Sequence, residues 1–245
     1  MDVKVVTGDI TRIRVDAIIV NLFEGVKRPG GATGAVDKAL DGAVTELIKQ
    51  GEIKGKLYEV TIVHTLGKIP ARVVAVVGLG KQADFNVDKI RRVMAQACRS
   101  LRRLNHQRVA TILHGTGAGG VDTGVAAQAI VEGTILGLYG FRKHITKEPE
   151  YKDVAELLVV ERDTANKRKL EQSCYKGKVL AEATNLARDL VNEPANYMTP
   201  TDMAKVAERL AKAHGLGLVV LDRDQMKKMG FDYTCVGRAK IETSS

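Results

Sequence analysis

Short β-branched runs alternate with longer segments of helical periodicity along the first 141 residues of this chain. The runs Val3–Val6, Ala17–Asn21, Tyr58–His64, Arg72–Gly78 and Val109–His114 are bounded by Gly, Pro or charged residues, which predicts strands. Between them, Val36, Leu40, Val44, Leu47 and Ile48 recur at helical spacing within Ala35–Ile48. Ile90, Val93, Met94, Ala97, Leu101 and Leu104 do the same within Val87–Leu104, so both segments are predicted helices. Such alternation predicts an α/β fold with a parallel or mixed sheet covered by helices.

A polar stretch, Arg142 to Lys152 with Pro149 inside it, follows. Ala155–Glu161 reads as one more strand of the first domain, and Ala165–Val191 as a long helix with Leu170, Leu180, Ala183, Ala187 and Leu190 near one face. At Thr199-Pro200-Thr201-Asp202 a Thr stands at the N-cap, Pro at the first helical position and an acid at the third, a helix start close to a capping box. That helix is expected to end at His214 with Gly215 as its cap. Leu216–Leu221 then reads as a strand and Asp224–Met229 as a short helix, the opening of a second α/β domain. The expected organisation is a first domain over 1–165, a linker helix over 166–191, the start of a second domain over 192–230 and an unrelated tail over 231–245.

At 245 residues, with 44% hydrophobic and 27% charged residues, the chain can bury one good core and part of another. No apolar run is long enough for a membrane span, and M-D-V-K-V-V-T-G-D lacks the pattern of a signal peptide, so a cytoplasmic location and no membrane partner are expected. Cys98, Cys174 and Cys235 are far apart and form no C-x-x-C pair, which argues against a disulfide framework or a structural zinc site. The net charge of +9 and the cluster Lys89, Arg91, Arg92, Arg99, Arg102, Arg103 and Arg108 suggest nucleic acid. With no Trp and only 4% aromatic residues, however, stacking platforms for single strands are scarce. Solvated helix faces explain the charge more simply.

Several motifs share a pattern. G-D-I-T at Gly8–Thr11, V-D-A-I-I-V-N at Val15–Asn21 and G-G-A-T-G-A-V at Gly30–Val36 resemble the opening of a macro domain. V-V-G-L-G-K at Val76–Lys81, H-G-T-G-A-G-G-V-D at His114–Asp122 and N-L-A-R-D-L-V-N-E-P-A-N-Y-M-T-P at Asn185–Pro200 follow in order. Together they resemble the leucyl (cytosol) aminopeptidases, over roughly Met1 to Gly230. The resemblance implies a three-layer α/β/α, macro-domain-like mixed sheet, then a linker helix and the truncated start of a metallopeptidase catalytic domain. In the full-length family two divalent cations, zinc, manganese or magnesium, polarise the scissile carbonyl and activate a bridging water. The family's ligands, a lysine, aspartates and a glutamate, belong to segments this chain does not contain. No catalytic residue, metal ligand or bound cofactor is therefore expected here, and the chain alone is expected to be inactive; a truncated, frameshifted or engineered reading frame would account for its ending. A peptide substrate is implied only for the full-length protein, and a homo-oligomer, hexameric in the family, is the expected assembly. DNA binding, a second activity of some bacterial members, is a weaker alternative.

Macro domains commonly bind ADP-ribose, and by resemblance Asp9 and Ile10 would meet the adenine. Gly30 and Gly31 would supply one phosphate loop, and Gly115, Gly117, Gly119 and Gly120 the other, because a Gly-rich turn before a helix exposes N–H groups to an anion. Counting from Val20 and Asn21, the position of the ribose-orienting Asn holds Glu24, a carboxylate unfavourable near a diphosphate. The same glycines also suit turns with no ligand, Asp9 could brace a turn, and Asp122 could cap a helix starting near Thr123. His64 and His114 each end a predicted strand, and no H-E-x-x-H spacing occurs.

Overall fold

Six strands form one sheet: β1 (Asp2–Thr7), β2 (Ala17–Leu22), β3 (Val60–His64), β4 (Val73–Gly78), β5 (Arg108–Thr111) and β6 (Glu156–Glu161). Their order is β1-β6-β5-β2-β4-β3, with every neighbouring pair parallel except β3 against β4. The sheet is mixed, as the alternating pattern predicts. This computed structural model describes residues 1–230; the tail 231–245 and Cys235 lie outside them.

Side-chain alternation sorts the strands onto two cores. Ala17 and Ile19 of β2, Val73, Ala75 and Val77 of β4, and Leu157 and Val159 of β6 face one cluster, while Ile18, Val20, Val74, Val76, Leu158 and Val160 face the other. Helices α1 (Gly31–Ala39) and α2 (Ala43–Lys49) cover the second face through Val36 and Val44. Helices α3 (Val87–Arg103), α4 (Thr123–Leu138) and the first part of α5 (Lys167–Asn192) cover the first face. The result is a three-layer α/β/α sandwich. Each fully buried Val or Ile contributes roughly 1.5–3 kcal/mol, so the buried residues of β2 and β4 stabilise it substantially, beside those of α3, α4 and β6.

Helix α3 illustrates the link from sequence to packing. Asn86 caps it by accepting from the Lys89 N–H at 3.1 Å, and Ile90, Val93, Met94, Ala97, Cys98 and Leu101 are all buried. Against it lies α4, drawn close because a Cβ on Gly133 would enter the Arg91 backbone. Burial pushes the Cys98 thiol up to about 12, so it behaves as a small apolar side chain.

Four expectations change. The single helix over Ala35–Ile48 is two, α1 and α2, because Asp41 and Gly42 adopt φ of 56° and 82°; the Asp37 carboxylate then accepts from the Thr45 N–H at 2.9 Å and starts α2. β3 starts at Val60 rather than Tyr58, whose φ is 69°, and β5 ends at Thr111, short of His114. Leu216–Leu221 is not a strand, since no neighbouring strand among the described residues offers it a ladder and strand geometry needs that pairing.

Contacts divide the chain into two compact units, Met1–Asn185 and the part from Leu186 onward. In the second, α6 (Pro200–His214) opens with the Thr199/Asp202 capping box and ends at Gly215 with φ 64°. The short helix α7 (Arg223–Lys228) opens with a second box, Asp222 with Gln225, so Asp222 is a helix cap, as its position before the helix predicts.

Candidate functional site

A cleft of the first unit opens at the carboxyl ends of β1, β2, β5 and β6, where parallel α/β sheets place ligands. Its volume is about 570 Å³. Ile10, Gly30, Gly31, Gly115 and Gly117, five of the candidate residues, line it. Asp9, Gly119 and Gly120 do not.

One wall is the start of α1. Gly30 is its N-cap and supplies no side chain, and the first helical bond of the turn is Gly34 N–H to Gly30 C=O at 2.9 Å, so the N–H groups of Gly31, Ala32 and Thr33 precede the ladder. The Thr33 hydroxyl donates to the Asn21 C=O at 2.8 Å, tying this turn to the end of β2. The opposite wall is the loop from Gly115 to Ala118, closed by Val121 N–H to Gly115 C=O at 3.0 Å and braced by Gln82 Nε2 to Ala118 C=O at 2.7 Å. Gly115 has φ 78°, and a Cβ there would strike the Phe85 ring, so backbone conformation and packing both require glycine at this position. Gly117 faces open space.

Asp9 serves the turn beside the cleft. Its Oδ1 accepts from the Thr11 N–H at 3.0 Å and the Thr11 hydroxyl at 2.8 Å, and its Oδ2 from Arg162 Nη2 at 2.9 Å. The Thr11 backbone bond foremost, with the Thr11 hydroxyl and Arg162, holds the carboxyl below its usual range against an opposing effect of burial. Arg162 itself lines the cleft, as do Asn21, Phe23 and Thr33. Arg162, a cation directly after β6, sits where strand ends meet ligands, a placement that pattern along the chain does not reveal. Glu24 is exposed and outside the lining.

His114 is fully buried behind this cleft. Asn21 Nδ2 lies 2.9 Å from its Nδ1 and Thr111 Oγ1 lies 2.9 Å from its Nε2. The amide nitrogen can only donate, so Nδ1 accepts and Nε2 carries the proton toward Thr111. Burial pushes this imidazole down to about 3, leaving it neutral and structural. Asp122 caps α4, its Oδ1 accepting from the Gly124 and Val125 N–H groups at 2.9 and 3.2 Å. Among the described residues no group of three or more His, Cys, Asp or Glu side chains could hold a metal, so these residues do not fit the cations the resemblance implies.

Part of the basic cluster is engaged within the chain. Arg91 binds Glu132 at 2.6 Å and Asp88 at 2.7 Å, while Arg102 donates to the Leu138 C=O at 2.8 Å and lies 4.5 Å from the Tyr151 ring. Arg108 pairs with Glu156 at 2.8 Å. Cations neutralised in this way release few counterions from a phosphate backbone. No helix among the described residues is long and apolar enough to cross a membrane.

Comparisons with known proteins fit this geometry. Residues 19–148 match the model of the cytosol aminopeptidase family, N-terminal domain, and residues 185–243 that of the same family's catalytic domain. The second match extends past Gly230, further than the motifs above. A probable cytosol aminopeptidase of Alkaliphilus metalliredigens is 37% identical over 232 residues, covering 94% of this chain and 46% of the relative. The chain thus spans about half the length of the curated relatives it matches. Among solved structures, the bottromycin maturation enzyme BotP superposes with a TM-score of 0.69 at 25% identity, over 88% of this chain and 41% of that one. A mutant of tomato leucine aminopeptidase does so with a TM-score of 0.76 at 17% identity, over 94% and 46%, a likeness of fold.

Proposed function

The chain belongs to the cytosol aminopeptidase family, and from that premise we propose that it supplies the non-catalytic, macro-like N-terminal domain joined to the first elements of the catalytic domain. In the whole protein it would serve metal-dependent removal of N-terminal residues from peptides, within a cytosolic homo-oligomer. The observation that carries this reading is the pair of matches, to the N-terminal domain over 19–148 and to the catalytic domain over 185–243. Two-metal hydrolysis needs ligands converging from rigid elements. The described residues of the second match bring no such group together. The test is hydrolysis of a leucyl anilide by the purified 245-residue chain with zinc, manganese or magnesium, beside a version extended through a full catalytic domain. Turnover is expected only from the extended version; metal-dependent turnover by the chain alone overturns the reading.

A second reading, an ADP-ribose or nucleotide-binding module, is favoured by one observation: the cleft gathers Ile10, Gly30, Gly31, Gly115 and Gly117 in its lining. It is opposed by Asp9, whose oxygens are already engaged by Thr11 and Arg162. Calorimetry with ADP-ribose separates the two, since a scaffold gives no saturable heat and a binder gives heat that Asp9→Ala abolishes. DNA binding is the weakest reading, because Arg91, Arg102 and Arg108 are paired within the chain and stacking platforms for bases are scarce.

A further inference from the structure

Helices α3 and α4 border a groove of about 530 Å³ that shares no lining residue with the glycine-lined cleft. Ala95, Gly133, Leu136 and Gly137 line it with apolar side chains or none. The two helices pack closely beneath it, since a Cβ on Gly133 would enter the Arg91 backbone and one on Gly137 would strike Ala95. Among the described residues no carboxylate lines the groove, and its volume is that of a small-molecule site.

Arg91, Arg92 and Arg99 also line it, and they differ in what holds them. Arg91 is neutralised by Glu132 at 2.6 Å and the exposed Asp88 at 2.7 Å. The Arg92 side chain is exposed and makes no hydrogen bond or ion pair among the described residues. Arg99 meets only neutral acceptors, Gln96 Oε1 at 3.2 Å and the Gly137 C=O at 3.5 Å, which leaves its charge uncompensated. The Tyr58 hydroxyl, in the same lining, makes no hydrogen bond among the described residues. Arg92 and Arg99 stand on one face of α3, about 10.5 Å apart along the axis, and Ala95 lies between them.

We propose that this groove binds an α,ω-dicarboxylate, a small molecule with an acid group at each end of a short unbranched apolar chain. Arg92 takes one carboxylate and Arg99 the other, each guanidinium presenting two parallel N–H donors to two oxygens, and Tyr58 adds a hydroxyl. The methylenes between the acid groups lie on Ala95, Gly133, Leu136 and Gly137. A phosphate, with a further oxygen and a second negative charge, would be under-matched by a single guanidinium, so carboxylates fit better. An extended eight-carbon diacid separates its carboxylates by roughly 9 Å, close to the spacing of the two arginine stems.

The test is calorimetry at low ionic strength on the full 245-residue chain with suberate, beside succinate, whose carboxylates are too close together, and octanoate, which has only one. Suberate should bind saturably, and the other two at least about tenfold more weakly. Arg92→Gln and Arg99→Gln should each weaken suberate about tenfold. In the wild-type chain suberate should also shift the amide resonances of Ala95, Gly133 and Gly137, a readout that needs no variant. No saturable heat with suberate, equal binding of suberate and octanoate, variants that bind like wild type, or unmoved resonances at those three residues would each overturn the proposal. So would duplex DNA that binds more tightly than suberate and loses affinity in the same variants, since the groove would then serve phosphates.

Discussion

Strand β4, V-V-A-V-V-G at Val73–Gly78, and the run L-G-L-V-V-L at Leu216–Leu221 each hold five apolar residues and one glycine, yet have opposite fates. Every residue of β4 is buried, between β2 and β3. In the other run Leu216 is 62% and Val219 83% exposed, and no strand forms. The difference lies in what surrounds each run. A strand needs a hydrogen-bonded neighbour on at least one side and a covered face, and β4 has two neighbours and helices on both faces. Apolar character marks a segment that could be buried; partners decide whether it is.

The largest effect that separates the two regions is a buried charge. Val74→Asp should leave a carboxylate without a partner in the core of the first unit, costing more than about 3 kcal/mol in urea-induced unfolding. Val219→Asp should change stability by less than about 0.5 kcal/mol. Comparable losses would mean that Leu216–Leu221 is packed after all.

A smaller contrast is expected from pH, because the first unit buries a titratable ring. His114 folds neutral with its pKa depressed from 6.5 to about 3 by burial. The unfolded chain therefore binds the extra proton between those values. Stability from this group is complete above pH 6.5 and falls on acidification toward pH 3, by at most about 1.4 kcal/mol per pH unit. His114→Gln should lower stability at pH 7 yet flatten that slope when unfolding is followed by near-ultraviolet circular dichroism. An unchanged slope would remove His114 as its cause.

The smallest effect is confined to the second unit. Thr199→Ala removes the cap that accepts from the Asp202 N–H at 3.3 Å and should cost α6 about 1 kcal/mol. Far-ultraviolet circular dichroism should register the fraying while the unfolding midpoint of the first unit stays in place.

Much of this fold was legible because its signals are local. The alternation Ala17–Ile18–Ile19–Val20, the periodic face of α3, the Thr199 cap and the Gly215 stop each carry their cause within a few residues. Two of the errors arose where the backbone turns within a patterned segment: Asp41-Gly42 breaks an otherwise helical repeat, and a left-handed Tyr58 delays β3. At Leu216 the missing information was a neighbour far along the chain. The glycines at 30, 31, 115 and 117 were legible as a cleft because they punctuate strand-to-helix turns. Arg162 was not, since one cation after a strand resembles any solvated arginine until β6 is placed beside β1. Nor could pattern alone assign Asp9 to Thr11 and Arg162.

Residue-resolved hydrogen exchange on the whole chain tests most directly the contrast between a self-sufficient sheet unit and an apolar run that has no strand partner among the described residues. Amides of β2, β4, β5 and β6 should exchange only through global unfolding, the slowest in the molecule, while those of Leu216–Leu221 should exchange near the rate of an unstructured peptide. Protection at Leu216–Leu221 equal to that of Val73–Gly78 would contradict it.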